Sequence, residues 1–161
     1  MFNSPDQAIR FAFKVKHKTI ISQPHNVFLI KEKIRNENRE ALTAYDFHAQ
    51  GAMIMGFVER QGEMAIAWTY WMYGDPDERK ISARLLADKY SGWGNLGMPR
   101  DDIYRAMLSL SVRKCAKELN TTNYKAWKLR RKILDALTPI ERGLMDGLWS
   151  WMDDQKNISS A

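Results

Sequence analysis

The sequence predicts an all-α protein, and three observations predict it. Apolar residues recur at three- and four-residue spacing along most of the chain, with no alternating stretch of the kind a half-buried strand shows. Three punctuation marks of one design, Ser4-Pro5-Asp6-Gln7, Asp75-Pro76-Asp77-Glu78 and Thr138-Pro139-Ile140-Glu141, each place a capping side chain, then proline, then an acid or amide at the third helical position. Six Trp, six Tyr and six Phe within an apolar fraction of 45% supply a core large enough for 161 residues. The expected architecture is a compact helical bundle carrying a helix-turn-helix, with a basic helical N-terminal arm. The arm takes residues 1–40 and the body residues 41–161.

Taken in order, the first helix runs from Pro5 to about Lys16. The Thr19-Ile20-Ile21 run and Pro24 break it, and a second runs from about Asn26 to Glu40. Residues 1–39 carry eight cations against Asp6, Glu32 and Glu37, a net of +5, densest at Lys14, Lys16 and Lys18. Two readings fit that charge, a solvated helical face or an auxiliary nucleic-acid or partner-binding arm.

A buried helix over residues 44–61 follows the Thr43-x-x-Asp46 cap, with Ala49, Ala52, Met53, Met55, Gly56 and Phe57 as its apolar set and Gly62 as its stop. Glu63 to Tyr73 is apolar all round, which places it at the centre of the bundle with its rings in the core. A helix from Pro76 to about Lys89 leads to the glycine-rich loop Ser91–Pro99, whose Trp93 and Leu96 either tuck onto the core or face a partner. Another helix covers about Arg100 to Leu110, and a C-terminal packing helix covers residues 139–152 with Ile140, Leu144, Leu148, Trp151 and Met152 on one face.

Between those last two lies the stretch that gives the chain its character, Val112–Leu134. Two helical segments meet at Asn120-Thr121-Thr122, the first with an apolar stripe of Val112, Cys115, Ala116 and Leu119, the second with Ala126, Leu129 and Ile133. Ala116 suits two helices that cross closely, as a helix-turn-helix requires. Eight cations stand here against Glu118 alone, a net of +7 in a chain whose total is +6, so everything outside sums to −1. A surface with no polyanionic partner would mix the signs. If Thr121 or Thr122 caps the second helix, its open face carries Thr122, Asn123, Tyr124, Trp127, Lys128 and Arg131 towards a major groove. Asn123 can pair with adenine, and Arg131 or Lys128 with guanine. Lys125, Arg130 and Lys132 lean towards phosphates, joined by Arg113 and Lys117. Trp127 can equally touch DNA or pack on the last helix.

Catalysis finds no ingredients. His17, His25 and His48 lie in segments of different type, and one Cys cannot complete a four-ligand zinc cluster. No Gly-x-Ser-x-Gly turn, phosphate loop or dinucleotide fingerprint occurs. Asp101-Asp102 and Asp153-Asp154 are adjacent pairs whose side chains diverge on a helix. No catalytic residue, metal or cofactor is expected. The lone Cys115 excludes an internal disulfide and fits a reducing cytoplasm, and the charged N-terminus does not read as a signal peptide. No apolar run approaches a membrane span.

The aromatic body AMIMGFVERQGEMAIAWTYWMYGDPDERKISARLL leading into CAKELNTTNYKAWKLRRKI resembles the late-gene antitermination Q proteins of lambdoid bacteriophages, in the short variety typified by phage 21. Longer members carry a cysteine-rich zinc-binding insert, which this chain lacks. The resemblance implies binding to double-stranded DNA near a phage late promoter and loading onto host RNA polymerase paused with its sigma factor. It further implies that the protein extends and narrows the RNA-exit channel around nascent RNA, so that pause and terminator hairpins are ignored, with Lys14, Lys16 and Lys18 of the basic arm as the candidate contact for RNA or polymerase. A conventional helix-turn-helix activator or repressor is the other reading of the same residues. A sequence-indifferent RNA-binding module is a third, favoured if the aromatics are exposed.

Overall fold

A polar cap followed by proline begins two helices of this chain, at Pro5 and Pro76, and apolar stripes set how far its helices continue. The structure, a computed structural model, describes residues 2–16, 44–91 and 96–158. Among the described residues there are seven helices and no strand: α1 (Pro5–Lys16), α2 (Ala44–Arg60), α3 (Glu63–Tyr73), α4 (Pro76–Tyr90), α5 (Arg100–Leu108), α6 (Val112–Glu118) and α7 (Asn123–Ile158). The fold is all-α, as expected. The chain divides into two units, Met1–Gly56 and Phe57–Ala161. The helix expected over 26–40, its boundary with the body at 40/41, the Thr43 cap, Lys18 and Trp93 all fall outside the described residues.

In the first unit, the Ser4 hydroxyl accepts the Gln7 amide at 3.3 Å and Gln7 Oε1 accepts the Asn3 amide at 3.0 Å, so both ends of the cap are engaged. Ala8, Ile9, Ala12, Phe13 and Val15 form the buried stripe of α1. A Cβ on Gly51 of α2 would stand 3.6 Å from Ala12 and Val15, so the two helices approach closely there. Phe11 joins them from the side, with its ring 5.0 Å from Phe2 and 5.9 Å from Phe47. The buried positions of α2 are Gly51, Ile54, Phe57 and Val58, whereas Ala49, Ala52 and Met53 are exposed. Of the apolar set expected here only Phe57 is buried, because at 3.6 residues per turn a single face, that of Gly51, Ile54 and Val58, can meet the core.

The second unit is built around α3. Trp68, Trp71, Ala65 and Ala67 are buried, the Thr69 hydroxyl is satisfied by the Ala65 carbonyl at 2.7 Å, and Trp71 Nε1 donates to the Met107 carbonyl at 3.2 Å. α3 packs on α4 and α7, and α4 on α5. Gly62 begins α3 at φ 98°, a conformation that favours glycine. The Asp75 capping box of α4 is complete: Asp75 Oδ1 accepts the Asp77 and Glu78 amides, and Glu78 Oε2 accepts the Asp75 amide. Leu96 tucks in, buried, with its amide on the Tyr90 carbonyl.

One helix start is overturned. Thr138-Pro139-Ile140-Glu141 does not begin a separate C-terminal helix, because α7 runs unbroken through Pro139 for 36 residues, about 54 Å at 1.5 Å per residue. The reason lies in phase. Ala126, Ile133, Leu137, Leu144, Leu148 and Met152 are all buried and fall on one stripe that crosses Pro139 without a slip. An interior proline costs about 3 kcal/mol, while each large apolar side chain buried returns about 1.5–3 kcal/mol. The Thr138 hydroxyl, which would have been the cap, instead donates back to the Leu134 carbonyl at 2.9 Å. Asp135, whose carbonyl loses its partner at proline, is exposed to water. Further along, Phe57 lies 5.9 Å from Trp151, and its ring fits because position 147 is glycine: a Cβ there would stand 3.2 Å from Phe57 Cζ. No helix among the described residues is long and apolar enough to cross a membrane.

Candidate nucleic-acid interface

The basic window folds as two helices joined by the four residues Leu119–Thr122. Ser111 caps α6 by accepting the Lys114 amide at 3.2 Å. The end of α6 is a Schellman turn: Asn120 adopts φ 48°, its amide reaches the Lys117 carbonyl, and the Thr121 amide reaches the Ala116 carbonyl at 2.9 Å. Asparagine is among the few side chains that accept this left-handed conformation at low cost. Thr122 then caps α7, its hydroxyl accepting the Lys125 amide at 3.3 Å and its carbonyl the Ala126 amide at 3.0 Å. The turn is therefore held at both ends by its own backbone and by one threonine.

α6 and α7 pack on one another, and the buried residues on either side of the turn are small: Cys115, Ala116 and Ala126. Burial pushes the Cys115 thiol above its ordinary pKa, opposed by the Arg130 charge and a Ser109 hydrogen bond. Such a thiol is a packing group rather than a nucleophile. Ser109 is a residue that periodicity did not single out. Its hydroxyl sits 2.8 Å from the Arg105 carbonyl and 2.5 Å from Glu118 Oε2. Glu118 is thereby turned onto Ser109 and, at 3.9 Å, Lys114, which removes the window's single acid from the open face.

That open face belongs to the first turns of α7. Thr122, Asn123, Tyr124, Lys125, Trp127, Lys128 and Arg131 are exposed together, opposite buried Ala126 and Ile133. Among the described residues no carboxylate pairs with the side chains of Arg113, Lys117, Lys125, Lys128 or Arg131. Trp127 does not pack on the end of α7. It stacks with Tyr124, ring centroids 6.3 Å apart and planes inclined by 27°, and the Arg131 guanidinium lies over it at 5.6 Å.

Two of the nine residues expected to touch DNA are drawn towards the fold instead. Lys132 Nζ donates to the Leu96 carbonyl at 2.6 Å and ties the glycine-rich loop to α7. Arg130 turns inward, its Nη1 buried without a protein partner, and with Trp71, Ala106, Met107, Ile133 and Leu134 it lines a cavity of about 40 Å³. A guanidinium there keeps its alkyl stem in apolar contact, in a space with room for a water molecule. Neither role leaves a signature in spacing, because each depends on what a distant segment places opposite. In the first unit, Lys14 and Lys16 are exposed on α1, with Lys16 Nζ 5.8 Å from the Phe13 ring centre. No group of three His, Cys, Asp or Glu that could hold a metal occurs among the described residues. The face can therefore offer cations, amide and hydroxyl groups and aromatic surface, a set suited to polyanions with readable bases.

Comparison of the chain with protein-family models, with curated proteins and with solved structures returns no match.

Proposed function

We propose that this chain is a transcription antitermination factor of the lambdoid-phage Q type, recruited by α6 and α7 acting as a helix-turn-helix on duplex DNA beside a late promoter. The DNA-binding part rests on one observation: α7 begins at a capped turn and presents Asn123, Lys125, Lys128 and Arg131 with no carboxylate on them. A two-helix hairpin serving only as bundle scaffold has no use for such a face, and self-repulsion of its cations would work against it. In a major groove, Asn123 and Arg131 supply the bidentate donors and acceptors that read adenine and guanine. The Arg131 guanidinium stands over the Trp127 ring, 5.6 Å from its centre, on the exposed side of α7. Lys125, Lys128, Lys117 and Arg113 then neutralise phosphates.

The part played at RNA polymerase is supported by the sequence resemblance. In that role the protein stays with the enzyme, paused with its sigma factor, and narrows the RNA-exit channel so that terminator hairpins cannot fold. Such a part needs positive charge and a rigid helical body rather than catalytic groups.

The test is in vitro transcription through a terminator, on templates with and without the promoter-proximal element. Readthrough that depends on both the element and the protein is expected. Altered initiation with no readthrough would instead make the chain a conventional activator or repressor. With Lys125, Lys128, Lys117 and Arg113 on phosphates, DNA affinity should fall with salt at a logarithmic slope of about −3.6, near −0.9 per phosphate neutralised. Lys125→Ala should lessen that slope by about 1.

A further inference from the structure

Tyr124, Trp127 and Arg131 form a column along α7, one turn apart at each step. Trp127 lies between the other two, with the Tyr124 ring stacked towards the N-terminal end and the Arg131 guanidinium over it from the C-terminal end. Tyr124 is 69% exposed and Trp127 45% exposed. The open end of the column is Tyr124, beside Asn123 and the Thr122 cap and flanked by Lys125 and Lys128. Rings left in water at the start of a helix whose buried side is closed by alanine are not needed by the core.

A closed duplex makes poor use of this column. Its major groove presents base edges, thymine methyls and phosphates, but the π-face of each base is covered by the next pair. An unpaired base exposes that face, and stacking on an aromatic ring beside a cationic track is how proteins hold single strands. Asn123, one turn from Trp127 on the same exposed face, offers both a donor and an acceptor for a base edge.

We infer that the Tyr124–Trp127–Arg131 column binds an unpaired base, so that the α6–α7 surface takes single-stranded or locally opened nucleic acid in addition to duplex. The inference rests on reading α6–α7 as a nucleic-acid surface, and it adds the class of strand that surface prefers. The ligand chemistry is an unpaired base with its flanking phosphates, which melted DNA and RNA both supply.

Fluorescence anisotropy with the full chain tests it, using four labelled probes: a closed duplex, the same duplex with a central bubble of unpaired thymines, and one strand as DNA and as RNA. The bubble or a single strand should bind more tightly than the closed duplex. Tyr124→Ala and Trp127→Ala should each weaken that binding on the order of tenfold, while Trp127→Phe, which keeps a ring, retains most of it. The closed duplex should lose less on the same substitutions than the bubble or the single strands do. Lys128→Ala should weaken every probe alike, as a phosphate contact does. Tight binding of either strand type supports the inference, and the strand bound more tightly names the source.

Bubble and single-strand affinities that ignore both alanine substitutions would overturn the inference while leaving the duplex reading in place. So would an equal loss on all probes in variants whose melting temperature matches the parent. Binding of opened or single strands with none to closed duplex would support the inference and remove the duplex reading. No binding to any probe would remove both.

Discussion

Two aromatic helices in this molecule meet opposite fates. α3 carries Trp68 and Trp71 at 2% and 7% exposure, whereas the first turns of α7 carry Tyr124 at 69% and Trp127 at 45%. Ring chemistry is the same in both, so hydrophobicity alone cannot account for the difference. α3 has a single charged residue, Glu63, and is faced by both α4 and α7, so its rings enter a core and Trp71 finds the Met107 carbonyl for its indole N–H. The start of α7 needs only a narrow buried stripe, which Ala126 and Ile133 fill, and its rings are left among cations. Aromatic content therefore says little about function until the face it occupies is known.

The largest effect expected of that contrast is on stability. Trp68→Ala should cost about 3–5 kcal/mol in chemical denaturation, as large core truncations do, while Trp127→Ala should stay within about 0.5 kcal/mol, as exposed substitutions do. Comparable losses at the two positions would break the comparison outright.

A second, smaller effect concerns the length of α7, which joins the exposed turns to the buried ones. Pro139→Ala should stabilise the protein by about 1–3 kcal/mol, because proline in a helix interior is costly. If Pro139 stood at a helix start, where proline is tolerated, alanine there would change the melting temperature little.

The smallest effect is at the turn itself. Thr122→Ala should cost about 1 kcal/mol through loss of the cap. Amide exchange should quicken in the first turn of α7 and not in α3. Uniform quickening would mean that the exposed and buried helices are not separable.

Much of this was legible from residues alone. Proline after a capping side chain located the starts of α1 and α4, and the Asn120-Thr121-Thr122 break located the α6–α7 turn to within one residue. The same local signal misled at Thr138-Pro139. A capping box reports only what a helix end would gain, whereas Leu137, Leu144 and Leu148 gain more by continuing in phase. Arg130 and Lys132 look like their basic neighbours in sequence. Yet Lys132 is held by a carbonyl 36 residues away, and Arg130 faces side chains from α3 and α5.

By itself, then, the sequence determined the helical class, the positions of most helix ends and the concentration of positive charge in Val112–Leu134, because each of these depends on near neighbours and on period. Only the tertiary structure decided which cations are free, that Glu118 is drawn aside by Ser109, that α7 does not stop at Pro139, and that Trp127 stands in water between Tyr124 and Arg131. Those outcomes turn on what lies across from a residue in space, and helical spacing fixes a residue's own face without saying what will occupy the opposite one.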